Sequence, residues 1–490
     1  MANGSVRTRR DVWTLQQPWD SVLEWYARGV AAMLARPIAD PLGWRYQAAI
    51  HGYHPSVDPY RQPGESLPSA GERQRLWNQC QHSSWFFLPW HRVYLGIWER
   101  ILGDAIVQLG GPADWALPYW NYSDATNPNA RSLPPAFMAA TLPDGSPNAL
   151  HLEPRFRMGV DATGAVGLDD SDVSLDCLRD RDFTLDPNSG TTAFGGPSTL
   201  FNHGGGPTGS LELTPHGNVH VAVGGFSDDD AGLMSRFETA GLDPVFWMHH
   251  ANIDRLWQVW LGRAGSGGNP TSLDWLNATG ARFRFRDHTG AEKTYAPVDV
   301  LDSQAEPFHY AYDTVADPLP SLVAGPAPGP GLESLTTRES AMAELVGATR
   351  GPIPLSSRTT RVGIDLARPS GPALESLATG PQRVYLNLSN ITAKRPAARV
   401  KVYLGVASGE PREEDLAGTL PMFGIESASS EESAHGGSGL SYVLDVTDIV
   451  ARLKTQGRWN PARLDLSFVA RDALGADVGL QVGSVSVHYE

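Results

Sequence analysis

The sequence predicts an α+β multi-domain protein, with a mainly helical first half carrying long loops and an all-β sandwich at the C-terminal end. Three observations carry that reading. Helix-period apolar stretches in the first 265 residues start beside prolines. Residues 112–210 between them are rich in Gly, Pro, Asn and Asp. From residue 338 onward, short alternating runs recur with turn signals between them.

The elements follow in order. Residues 12–36 read as an amphipathic helix with Val22, Trp25, Tyr26, Val30 and Met33 near one face. "PWHRVYLGIWERILGDAIVQLGG" (89–111) places Leu95, Trp98, Leu102, Ala105 and Leu109 at helical spacing, with Pro89 at the first helical position and Gly110–Gly111 as the stop. "TPHGNVH" sets Thr214 as a cap before Pro215, and "LDPVFWMHHANIDRLWQVW" sets Asp243 before Pro244. After residue 265, "RFRFRD" and "KTYAPVDVL" alternate like strands, and "AGPAPGPG" (324–331) reads as a semi-rigid linker. Beyond it "TTRVGIDLA", "RVYLNLSNI", "ARVKVYLGV", "SYVLDVTDI", "RLDLSFVARD" and "VGSVSVHYE" predict the sandwich. The division is therefore 1–265, 266–320, a linker at 321–337, and 338–490.

Composition narrows the function. The 490 residues carry a net charge of −15, which repels phosphates and argues against nucleic-acid or anionic-membrane partners. No apolar run is long enough to span a membrane, and Arg9–Arg10 is followed by no apolar run of a signal peptide, so the expected location is cytoplasmic unless a partner exports the chain. Two cysteines, Cys80 and Cys177, do not make a disulfide scaffold.

The histidines are the chemical signal. Ten of the fourteen lie in the first 250 residues, grouped as His51 with His54, His82 with His91, His216 with His220, and His249 with His250. His216 and His220 stand four apart on a helix, hence on one face and able to meet one metal ion. His250 completes a second set on another helix, and His51, His82 and His91 make a first. "HGNVH" lacks the glutamate that zinc hydrolases carry inside such a motif, and an all-imidazole set suits copper, zinc, iron or nickel.

"HSSWFFLPWHRVYLGIWERILG" and "TPHGNVH … DPVFWMHHANIDRLW" resemble the two copper motifs of the tyrosinase and polyphenol oxidase family, the type 3 copper proteins. "DWLNATGARFRFRD … VDVLDSQAEPFHYAYD" resembles the extension that follows the catalytic domain in plant members, and the β-rich end resembles their C-terminal domain. The resemblance implies a four-helix bundle holding two copper ions, the first by His51, His82 and His91, the second by His216, His220 and His250, with dioxygen as co-substrate. His250 rather than His249, and His51 rather than His54, match the ligand positions. Glu212 matches the family's water-holding glutamate, and Phe237 the phenylalanine over the copper entrance. Gly217 stands where strong monophenol hydroxylases often have Asn. Asp254 is placed either to orient a ligand or to pair with an arginine. "CQH" implies a Cys80–His82 thioether of the kind in fungal tyrosinases, while Pro55 stands where plant members have the bridging cysteine. Tyr310 and Tyr312 resemble the motif that closes the unit against an N-terminal arginine, Arg9 or Arg10.

These likenesses imply oxidation of o-diphenols to o-quinones, with weak monophenol hydroxylation. The alternatives are o-aminophenol oxidation, a haemocyanin-like dioxygen carrier, and a zinc hydrolase. A phenolic or aminophenolic substrate and a copper chaperone are the expected partners. The resemblance to plant zymogens further implies that the chain beyond about residue 338 covers the site and that the enzyme is latent.

Overall fold

The computed structural model describes residues 5–490 apart from 202–205, 228–229, 281, 320–342, 368–382, 406–407, 433–436 and 472–476. The proline-rich linker expected at 321–337 therefore lies outside the described residues. The first part is helical: α1 (Ser21–Leu34), α2 (Trp44–His51), α3 (Ala70–Leu76), α4 (Phe87–Gln108), α5 (Asn218–Gly224), α6 (Pro244–Gly262) and the short α7 (Leu273–Leu276). Tryptophans join them. Trp98 of α4 lies face to face with Trp247 of α6, centroids 4.0 Å apart and 7° from parallel, and Trp44 of α2 meets both edge-on. Such pairs add about 0.5–1.5 kcal/mol each beyond the area they bury. Residues 112–210 contain only short single turns among the described elements, as their Gly, Pro and Asn content predicts.

Three helix starts differ from expectation. The helix foreseen over 12–36 begins only at Ser21, because Pro18 cannot continue a helix and Asp20 supplies the cap, accepting from the Val22 N–H at 2.9 Å. Thr214 is in extended backbone, but its hydroxyl accepts from the Asn218 side chain at 3.1 Å instead of capping. A widened turn over Glu212–Gly217 precedes α5. Pro89 is the third residue of α4, which starts without a side-chain cap; Asp243 and Pro244 behave as expected, with Asp243 accepting from the Val245 N–H.

The described residues of 266–319 lie on this helical body. The strands β1 (Arg7–Arg9) and β4 (Tyr310–Tyr312) pair in parallel, and β2 (Phe283–Arg286) and β3 (Glu292–Tyr295) form a hairpin. Trp275, Phe283, Phe285, Phe308 and Tyr310 enter the helical core. Arg9, the arginine of the expected tyrosine clasp, sits 3.6 Å above the Tyr310 ring and pairs with Glu99 at 2.6 Å.

The C-terminal part is a sandwich. One sheet runs β10 (Leu416–Leu420), β9 (Val400–Leu404), β12 (Arg463–Ala470), β7 (Thr359–Asp365). The other runs β11 (Leu440–Asp445), β8 (Val384–Thr392), β13 (Gln481–Tyr489), β5 (Glu344–Ala348), with β6 (Ile353–Pro354) also against β13; every pairing is antiparallel. Leu464, Leu466 and Phe468 alternate into the core against Val482, Val485 and Val487. Helices α8 (Ile425–Ser429) and α9 (Thr447–Thr455) complete it. No helix among the described residues is long and apolar enough to cross a membrane.

The two parts share side chains. Leu213 packs in the sandwich core, and Phe423 of the sandwich packs in the helical core. Around them runs an ionic seam: Asp172 accepts Arg399 at 2.5 Å and Arg471 at 2.9 Å, and Asp169 accepts Lys401 at 3.0 Å.

Candidate dicopper site

Six imidazoles from four helices and one loop converge. His51 ends α2, His82 lies in the loop before α4, His91 is in the second turn of α4, His216 and His220 flank the start of α5, and His250 is on α6. They form two triangles. In the first, ring centroids of His51, His82 and His91 are 5.5, 5.7 and 5.7 Å apart. In the second, His216, His220 and His250 are 4.6, 5.0 and 5.5 Å apart. The triangles face each other: His91 stacks on His250 at 4.5 Å and 8°, and His82 lies 6.0 Å from His216.

The tautomers are set by the backbone. Nδ1 of His51 lies 2.9 Å from the Phe237 carbonyl, that of His91 2.8 Å from Phe87, that of His216 3.2 Å from Glu212, and that of His220 2.8 Å from Met234. A carbonyl only accepts, so Nδ1 carries the hydrogen and Nε2 presents its lone pair. Among the described residues the buried Nε2 atoms of His91 and His216 have no hydrogen-bond partner. Nε2 of His220 is 3.3 Å from Nε2 of His250, an approach of two like groups. Burial, reinforced by the neighbouring imidazoles, holds His91, His216, His220 and His250 well below the ordinary histidine range. Neutral imidazoles with inward lone pairs fit transition-metal ions and copper in particular.

The other expected positions are placed as follows. His54 is exposed and bonds Ser56, away from the triangles. His249 is buried against His216 at 5.4 Å, His220 at 4.8 Å and Tyr122 at 5.6 Å, whereas His250 touches rings of both triangles. His216, His220, His249 and His250 bring ligand atoms within 4.8 Å of one another, so His249 is a fourth imidazole of the second group that spacing alone did not pick out. Cys80 is a buried cysteine whose sulfur lies within 4.8 Å of ligand atoms of His51 and His82, and no disulfide joins it to Cys177. Burial pushes the thiol well above its usual range.

Both carboxylate oxygens of Glu212 lie 2.9 Å from the Ser83 N–H, directly after His82. Burial pushes this carboxyl up to about 8 against the lowering by that N–H. Glu212 thus braces one triangle through its side chain and the other through its carbonyl. Phe237 stacks on His82 at 4.7 Å and 24°. Asp254 takes the arginine-pairing alternative: it accepts Arg92 Nε at 2.6 Å and the hydroxyls of Tyr310 and Tyr312 at 2.6 and 2.7 Å.

The sandwich reaches into this site. Phe423, 5% exposed, stacks on His220 at 4.0 Å and 21°, and stands edge-on to Phe237 at 4.6 Å, His216 at 5.8 Å and His82 at 5.9 Å. Two glycines make room. A Cβ on Gly217 would meet Pro421 Cγ at 2.6 Å. Gly424 has φ +64°, and a Cβ there would meet the Phe237 ring at 2.3 Å.

Residues 41–263 match the family model of the common central domain of tyrosinase, and residues 342–490 match a domain of unknown function. The tyrosinase HcTyr1 of Hahella sp. (strain CCB-MM4) is 34% identical over 509 aligned positions, covering 99% of this chain and all of that protein. The chloroplastic latent-form polyphenol oxidase of Prunus armeniaca is 31% identical over 321, which is 63% of this chain and 49% of that one. The solved structure of latent apple tyrosinase aligns over 100% of this chain and 98% of its own, with TM-score 0.62 at 22% identity, a likeness of fold. With that full-length relative, the chain belongs to the tyrosinase family, and is an oxidoreductase that works with two copper ions and dioxygen on phenols.

Proposed function

We propose that this protein is a latent o-diphenol oxidase: it converts catechols to o-quinones once the sandwich withdraws Phe423. His51, His82 and His91 hold the first copper, and His216, His220 and His250 the second. The observation that carries this is the pair of facing imidazole triangles with an aromatic ring already stacked on one of them, at His220. When bound, the copper pair supplies the two-electron exchange with dioxygen.

The chain's own residues do the rest. Backbone carbonyls at 87, 212, 234 and 237 hold imidazole orientation. Phe237, Phe87 and Phe246 keep water from the rings, with Phe246 centred 4.3 Å from His250 and Phe87 4.8 Å from His216. Burial raises the Glu212 carboxyl, and its side chain fixes the loop carrying His82 by accepting from the Ser83 N–H. Gly217 offers a substrate no side-chain hydrogen bond beside His216, which favours diphenols that already carry both hydroxyls over monophenols.

Oxygen uptake by the copper-loaded full chain, before and after limited proteolysis, tests this with catechol, tyramine and o-aminophenol. Catechol should dominate, and proteolysis should raise its rate. Brisk tyramine hydroxylation without a lag overturns the diphenol preference, a higher rate with o-aminophenol makes that the substrate class, and activity unchanged by cleavage removes latency.

A further inference from the structure

One short segment, Met234–Glu238, touches ligands of both coppers. The Met234 carbonyl accepts Nδ1 of His220, the Phe237 carbonyl accepts Nδ1 of His51, and the Phe237 ring stacks on His82. The segment has little helix to fix it: a single turn over Leu233–Ser235 takes in its first two residues, and Arg236 is extended. Some of its anchors lie in its own domain, such as the Ser235 hydroxyl on the Gly225 carbonyl at 3.0 Å and Arg236 on Asp230 at 2.6 Å. Others come from the sandwich. The Gly424 N–H donates to the Ser235 carbonyl at 3.2 Å, Arg236 faces Glu426 at 3.4 Å, the Ser427 hydroxyl donates to Glu238, and Gly424 lies flush on the Phe237 ring.

We infer that Met234–Glu238 is a positioning strut for both copper sets, and that the sandwich, gripping it at Ser235, Arg236 and Glu238, sets the spacing of imidazoles it never ligates. The inference rests on the copper reading above. The domain that blocks the site with Phe423 then also shapes it for metal. Covering and shaping use different residues: Phe423 contacts rings directly, whereas Glu426 and Ser427 act through the strut. That separation makes the two roles distinguishable by substitution.

The test measures equilibrium copper(I) affinity of the metal-free full chain in competition with a chromogenic chelator. The wild type should take two ions. The double variant Glu426→Gln/Ser427→Ala should bind them about tenfold more weakly, the low end for partners that orient ligands, while its apoprotein melts at the wild-type temperature. Ser427→Thr, which retains the hydroxyl, should match wild type. Unchanged affinity in the double variant, or an equal loss in Ser427→Thr, overturns the strut. A wild-type chain taking fewer than two ions overturns the copper reading, and the strut with it.

Discussion

Truncating Phe423 to alanine should switch on the uncleaved enzyme. The side chain is 5% exposed and packs on His220, Phe237, His216 and His82. Burying a phenylalanine and losing it costs roughly 3–5 kcal/mol in a core. Here most of that loss is assigned to the closed arrangement, because the aromatic contacts of the ring among the described residues are all with the catalytic part. Each 1.4 kcal/mol is a factor of ten, so the closed-to-open ratio falls by roughly two to three and a half powers of ten. The ionic seam of Asp172 with Arg399 and Arg471 is untouched, so the sandwich stays attached while its plug is gone. The void left behind has the shape of one benzene ring over His220, the room a catechol needs. Oxygen uptake with catechol by copper-loaded, uncleaved Phe423→Ala should rise by about two orders of magnitude, limited by the rate of cleaved wild type. A rate within about twofold of uncleaved wild type, while cleaved wild type is active, would refute the assignment of the block to this ring. Phe423→Leu should fall between, since it keeps apolar bulk without the stacked plane.

Three further outcomes follow from the same contacts. The mature copper-loaded protein should be lighter by a pair of hydrogens, one from the Cys80 thiol and one from a His82 ring carbon, with copper and dioxygen as oxidant. The loss should survive reduction and vanish in Cys80→Ala; an unmodified mass after copper turnover excludes the bridge. Gly217→Ala places a methyl 2.6 Å from Pro421 Cγ. Overpacking of that kind costs about 1–3 kcal/mol, so the uncleaved variant should show raised catechol oxidation that disappears as a difference after cleavage; equal rates before cleavage would show that the Pro421 contact is slack. Acid should loosen the seam. Burial raises the Asp169 carboxyl, but Ser171, Lys401 and Arg471 outweigh it and hold it at about 2 against an ordinary 3.8. A depressed carboxylate stabilises the closed form above its unfolded value and loses that contribution as pH falls through 3.8 toward 2. Hydrogen-exchange protection of residues 421–427, relative to the intrinsic rate at each pH, should fall over that window, and Lys401→Met should narrow it; a pH-independent protection would remove Asp169 from the latch.

Much of the site was legible because its signals are local. The four-residue spacing of His216 and His220 needs only helix geometry, and the Asp243–Pro244 start of α6 needs only cap chemistry. Strand alternation in "RLDLSFVARD" reports a two-sided sheet wherever the strand lies. What could not be read depends on segments distant in sequence. Phe423 sits in "LPMFGIE", an unremarkable apolar run, and only the docking of the sandwich puts it on His220. The carbonyls that orient four imidazoles belong to Phe87, Glu212, Met234 and Phe237, and a carbonyl has no sequence signature. The helix misplaced over 12–36 shows the local limit: apolar periodicity continued through Pro18, where backbone chemistry had already ended it. Asp254 had two roles open because its partners, Arg92, Tyr310 and Tyr312, come from α4 and from the far end of the catalytic part.

The contacts of Phe423 bind latency to substrate choice. A plug that works by stacking on His220 occupies the plane that a phenolic ring needs, so it competes with substrate and does not merely cover the entrance. An attached competitor acts at an effective concentration set by its tether, which for short spans is millimolar, and the seam around Asp169 and Asp172 raises its hold further. Free catechol therefore cannot displace it by concentration alone, and activation has to come from weakening the sandwich. Gly217 and Gly424 then have a single explanation. Each lacks a side chain where the loop carrying the plug presses closest, at Pro421 and at the Phe237 ring. Any residue at 217 that could hydrogen-bond a monophenol would also push Pro421 away. If position 217 governs hydroxylase character as proposed, a gain of it there should come with a loss of latency, and the two properties should change together in a series of substitutions at that position.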